Sequence, residues 1–168
     1  MKKIIIALLM FLPFTVMAQG NLKIGVFNSQ EVITIMPEYN SAMSELEKMN
    51  LTFQTEAKKL QEEFEKKYQE YATTAETLEP AIRQYKETEL ARLQQSIQEF
   101  ATNAENNIKK KQQELMMPII NKIQQAIKKV GDENGFTYII DNAANIIPYV
   151  APSAENVLPL IKKALNIQ

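Results

Sequence analysis

The chain has 168 residues, with 19 basic and 20 acidic side chains, and contains no cysteine, histidine or tryptophan. No disulfide can brace the fold, and no nucleophile–base pair can be built from histidine or cysteine. The near-neutral balance argues against nucleic acid as the main partner, because phosphate binding needs a basic surface. Four glycines against abundant Glu, Lys, Gln, Ala and Leu point to a mostly helical protein.

The chain begins MKKIIIALLMFLPFTVMAQG. Lys2 and Lys3 precede an apolar stretch from Ile4 to Val16 and a small-residue site at Val16-Met17-Ala18. This is the pattern of a secretory signal peptide, residues 1–18, with cleavage expected after Ala18. The apolar run is short for a membrane span, which needs about 20 residues; an uncleaved anchor is the alternative. No cysteine follows to carry a lipid. Removing Lys2 and Lys3 leaves 17 basic against 20 acidic residues, a formal charge of −3 on the expected mature chain. Its length suggests one domain, 19–168, exported and without an integral membrane span.

In NLKIGVFNS, Leu22, Ile24 and Val26 alternate with Lys23, Gly25 and Phe27, which predicts a short strand. A helical connector follows, and Pro37 suits the first turn of a helix. From there a heptad register runs through Met36, Met43, Asn50, Ala57, Phe64, Tyr71 and Leu78 at one position. Tyr39, Leu46, Phe53, Leu60, Lys67 and Thr74 hold the other. Pro80 pushes Glu79 out of helical geometry, so a chain reversal is expected there, with the tip near 77–84. One unbroken rod is the rival. Folding the chain about residue 80 sets Phe64 opposite Ile97, Tyr71 opposite Leu90, Leu60 opposite Phe100, and Ala57 opposite Ala104. Charge agrees: Pro37 to Pro80 holds 5 basic and 10 acidic residues, Ala81 to Val130 holds 9 basic and 5 acidic. The hairpin, 37–118, is therefore favoured.

Beyond Ala104 the apolar spacing becomes eleven, through Leu115 and Ala126 and through Ile108, Ile119 and Val130. Such a repeat relaxes the heptad supercoil. Pro118 falls at this change and is expected to kink the hairpin base. Gly131 and Gly135 should end the helix. Phe136, Tyr138 and Ile140 then alternate as a strand, and Ile146 to Val150 as a second, with Pro148 marking an edge. Ser153 should cap a final helix whose apolar face is Val157, Leu160, Ile161 and Leu165. The expected fold is α+β, predominantly α: a small β-containing body from 19–36 and 119–168, carrying a long antiparallel coiled-coil hairpin.

Chemistry is sparse. No G-x-x-x-x-G-K loop implies a nucleotide cycle. Glu62, Glu63 and Glu65 spread around a helix as a solvated face, and Lys109 to Lys111 read as solvated or paired with the acidic helix. No enzyme, metal or cofactor is expected. Surface is what remains: Met49, Leu51, Tyr68, Ile82 and Tyr85 lie off the seam register and are candidates for loose apolar binding.

The layout resembles the Skp/OmpH family of periplasmic chaperones across the whole mature chain. The resemblance rests on the leader, LKIGVFNSQEV, the Glu/Lys/Gln-rich hairpin, PIINKIQQAIKKVGDENGFTYIIDNAANIIPYV and AENVLPLIKKAL. It implies a homotrimer in which the bodies associate, with Ile24, Val26, Tyr138 and Ile140 as contact candidates, and three hairpins that hang as tentacles around a cavity. It further implies a periplasmic, ATP-independent holdase for unfolded outer-membrane β-barrel proteins, with diffuse contacts. Better-known relatives are strongly basic, so binding of anionic lipid does not carry over to a chain of −3. The alternative is an envelope adaptor that binds one folded partner at the hairpin tip.

Overall fold

The computed structural model describes residues 22–167; the expected leader and its cleavage site lie outside them. Strand β1, Ile24–Phe27, leads into helix α1, Ser29–Ile35. Asn28 caps that helix, its side-chain oxygen accepting the Gln30 N–H at 2.9 Å. Met36 is extended, as a residue before proline should be, and Pro37 opens helix α2, Pro37–Thr74. At about 1.5 Å per residue its 38 residues span about 57 Å. The chain reverses over 75–79. Glu79 is again extended before Pro80, which starts the 55-residue helix α3, Pro80–Asn134.

Helix α3 runs through Gly131 and ends at Gly135, whose φ of +66° is a left-handed cap natural to glycine. Of the two glycines expected to end the helix, only Gly135 does so. Strand β2, Tyr138–Asp141, follows. The expected strand at Ile146 to Val150 is instead a loop. Asn142 holds it back, accepting the Ile147 N–H at 3.0 Å, while Asn145 turns at positive φ. Pro148 has no N–H to give a ladder. The third strand, β3, is the two-residue Glu155–Asn156. Helix α4, Leu158–Leu165, therefore starts later than Ser153 predicted. Asn156 takes the capping part, accepting the Leu158 N–H at 3.0 Å.

The sheet order is β2-β1-β3, and both pairings are parallel. Ile24 faces Tyr138 and Val26 faces Ile140 across one ladder. The hairpin is thus the crossover between the parallel strands β1 and β2, enlarged into a shaft. Lys23 ties the junction together: its ammonium meets Glu155 at 3.1 Å and lies 4.0 Å from the Phe136 ring centroid.

The core lies between one face of the sheet and the helices around it. It joins Phe27, Val32, Met36, Ala42, Ile119, Ile123, Ala126, Val130, Val157, Ile161 and Leu165. Leu160, expected on the same face of α4, packs against it while partly buried. Gly25 admits this packing, since a Cβ there would sit 2.6 Å from Val157 Cγ1. Every core residue of α3 follows Pro118, and the far ends of the eleven-residue series, Ile119, Ala126 and Val130, reach the core beside Ala42 of α2.

Candidate functional site

Two surfaces deserve the description of a site: the flanks of the hairpin and the outer face of the sheet. Between residues 43 and 118 no side chain is fully buried. The shaft is held by a half-buried seam of Phe53, Ala57, Leu60, Phe64 and Tyr71 against Leu90, Leu93, Ile97, Phe100 and Ala104. Phe53 and Phe100 meet edge to face, ring centroids 6.0 Å apart. Folding about residue 80 had set Leu60 against Phe100. The turn is centred near residue 77 instead, which brings the preceding heptad level to that ring. Asn50, expected in the seam, is exposed, and Met43 is 44% exposed.

Polar links cross the seam beside the apolar ones. Lys67 meets Glu89 at 2.6 Å, Lys111 meets Glu45 at 2.7 Å, and Lys122 pairs with Glu38 at the root. The hydrogen bond from Lys67 holds the Glu89 carboxyl below its ordinary range, and the one from Lys122 does the same for Glu38. Glu89 and Glu45 raise their lysines in return. The Tyr71 hydroxyl donates to Glu87, whose bond raises the phenol. These pairs order the shaft without forming a reactive group. Among the described residues no three His, Cys, Asp or Glu side chains are placed to hold a metal.

The structure leaves four of the five surface candidates exposed: Leu51, Tyr68, Ile82 and Tyr85. Met49 is half-buried. They do not converge. Leu51 and Tyr68 lie 17 positions apart on α2, about 25 Å along the axis. Tyr68 stacks on Phe64 at 6.1 Å, and Tyr85, 69% exposed, stands near the tip beside Gln84, Thr88 and Arg92. Sequence reasoning missed Met117 and Ile120 at the hairpin root and Ile146, Tyr149 and Val150 in the body loop. The first two could have been found, because they fall outside the eleven-residue face that ends in the core.

Pro118 is exposed and lines a cavity of about 650 Å³ with Pro37, Ser41, Ala42, Leu115 and Ile119. Helix α3 is continuous across it. Having no N–H, Pro118 leaves the carbonyl of Glu114 without its helical partner, and the exposure of Glu114 lets water take that place.

On the sheet, alternation puts Ile24, Val26, Tyr138 and Ile140 on one face. None of the four joins the core, and Tyr138 is 61% exposed. Among the described residues no helix is long and apolar enough to cross a membrane.

Comparison with known proteins agrees with this geometry. The family model described as outer membrane protein (OmpH-like) matches residues 23–165. The chain is 24% identical to "Chaperone protein Skp" of Yersinia enterocolitica over 141 residues, 84% of this chain and 85% of that protein. It is 26% identical to the protein of the same name from Photorhabdus laumondii subsp. laumondii over 155 residues, 92% of each. The Pectobacterium atrosepticum protein, also named Chaperone protein Skp, is 24% identical over 141 residues, 84% of each.

Proposed function

The chain belongs to the OmpH-like outer membrane protein family, and from that premise we propose that it is a periplasmic chaperone that holds unfolded polypeptide against its hairpins. The observation that carries this reading is the shaft. Over 76 positions, 43 to 118, it buries no residue, yet it displays Leu51, Tyr68, Ile82 and Tyr85 to solvent. Scattered apolar side chains on a charged rod suit many weak contacts with a chain that has no fixed shape. The clients are unfolded outer-membrane β-barrel proteins, and holding them needs no nucleotide.

The working unit is a homotrimer joined through the bodies. An all-parallel sheet normally has both faces covered, while here Ile24, Val26, Tyr138 and Ile140 form a face that joins no core. Covering it with the same face of other copies would hang the hairpins side by side around a cavity. Pro118 lines the cavity at the hairpin root, a position from which it would set their splay.

Dilution of a urea-unfolded outer-membrane β-barrel protein into near-stoichiometric trimer, without nucleotide, should keep it soluble. Aggregation equal to that in buffer alone would sink the reading. Capture of one folded partner through the tip, with no protection of the unfolded barrel, would favour an envelope adaptor instead.

A further inference from the structure

With the leader removed, methionine is the most readily oxidised side chain left, since cysteine, histidine and tryptophan are absent. The five remaining methionines are Met36, Met43, Met49, Met116 and Met117, and residues 50–115 contain none. Their exposure is graded. Met36 is fully buried in the core, Met49 and Met116 are half-buried, Met43 is 44% exposed and Met117 58%.

The two exposed thioethers stand in shallow grooves at the root half of the hairpin. Met43 shares one with Leu46, Asn50 and Ile108, beside the single charge of Glu47. Met117 shares another with Met116, Ile120, Gln112 and Gln113, beside Lys109. In each groove the methionine is the most exposed of the apolar side chains.

We infer that Met43 and Met117 are modification sites, an oxidation-sensitive pair whose conversion to sulfoxides loosens the hold of the hairpin root on apolar segments. This rests on the reading of the shaft as a client-binding surface. The oxidant is an oxygen-atom donor such as hypochlorous acid. One oxygen passes to sulfur, which loses two electrons, while the chlorine leaves as chloride and a proton is released. The new S=O is a strong acceptor, and an apolar client segment that covers it offers no donor, so the groove fills at a penalty. Reduction by a methionine sulfoxide reductase, which consumes two electrons and two protons and releases water, restores the thioether.

The test uses the full mature protein, folded, at limiting hypochlorous acid, with sulfoxides mapped by mass spectrometry. Met117 and Met43 should oxidise first and Met36 last. Affinity for a urea-unfolded outer-membrane β-barrel protein should fall on the order of tenfold and recover after reductase treatment. A Met43→Leu/Met117→Leu variant, a near volume-conserving change, should show no fold-change between its own affinities before and after the same dose, whatever its untreated value. Oxidation of Met36 as fast as Met117, or an equal loss in wild type and variant, overturns the pair. So does full oxidation of both positions with unchanged affinity. Untreated protein is the separate control: if it does not hold the client, the chaperone reading itself falls, and the switch with it.

Discussion

Gly25 and Gly131 are both small residues next to packed side chains, and the distances around them predict opposite outcomes. A methyl group at position 25 would come within 2.6 Å of Val157 Cγ1 and 3.1 Å of Phe136, whereas one at 131 would meet Ile139 at an ordinary 3.7 Å. Gly25→Ala should destabilise the body by about 2 kcal/mol through overpacking. Gly131→Ala, inside α3, should stabilise it by about 0.5–1 kcal/mol. Chemical denaturation of the two variants checks both signs. Asp141 offers a second test at this scale. Burial pushes its carboxyl up, but bonds from the Ser29 hydroxyl and from the N–H groups of Ser29 and Ala143 outweigh it and hold the group low. A lowered folded pKa adds stability above the unfolded value, about 3.9, and that increment is lost as pH falls through the folded one. Asp141→Asn should therefore be less stable than wild type by about 1 kcal/mol near neutrality. The two melting curves should converge as acidification carries Asp141 through its lowered folded value, because the other carboxylates are common to both.

Within the hairpin, the question is whether apolar contact or charge holds α2 to α3. Exposed ion pairs contribute about 0–1 kcal/mol, and Lys67 and Glu89 are both more than a third accessible. The half-buried Phe53–Phe100 contact should count for more. Phe100→Ala is expected to cost about 2 kcal/mol and to raise hydrogen exchange along the shaft while the body keeps its protection. Glu89→Gln should cost less than about 1 kcal/mol, and that difference should shrink in high salt. Pro118→Ala restores the missing N–H to the Glu114 carbonyl, so exchange around 114–122 should slow. If Pro118 sets the splay of the hairpins, the solution scattering profile changes as well; an unaltered profile would leave it a tolerated irregularity in a continuous helix.

At the level of the molecule, stability and surface are kept apart. The core draws on β1, α1, the first turns of α2, α3 beyond Pro118, and the C-terminal segment, and nothing from the shaft above Ala42 enters it. Replacing 51–103 by a tight turn should therefore leave a folded, self-associating body that no longer protects an unfolded client. Circular dichroism, light scattering and the aggregation assay would read the three parts separately, and an unfolded remnant would show that the shaft stabilises the body after all.

Much of this organisation was legible before any coordinates. The change from a seven- to an eleven-residue spacing near Ala104 marked the stretch whose far end, Ile119, Ala126 and Val130, enters the body core, because helical periodicity is local and survives in the order of the residues. Helix α3 does not leave α2 there, and Lys111–Glu45 and Lys122–Glu38 keep the two helices side by side to the root. Pro37 and Pro80 marked two helix starts for the same reason: proline constrains its own φ and its predecessor wherever it stands. Of the five residues that fall off the seam, Leu51, Tyr68, Ile82 and Tyr85 are exposed, while Met49 is half-buried. Three features were not legible in this way. Glu155–Asn156, not Ile146–Val150, supplied the third strand, because ladder pairing is a competition between segments, won here by the one whose backbone can reach β1. The α4 start followed from that choice. The heptad level that meets Phe100 depended on where a five-residue loop closed, and a shift of three residues at the tip moves every partner down the shaft. Periodicity says which face of an element is apolar; only the packed chain says which partner that face meets, since contacts between distant segments are decided by steric fit and by backbone groups that each must find one hydrogen-bonding mate.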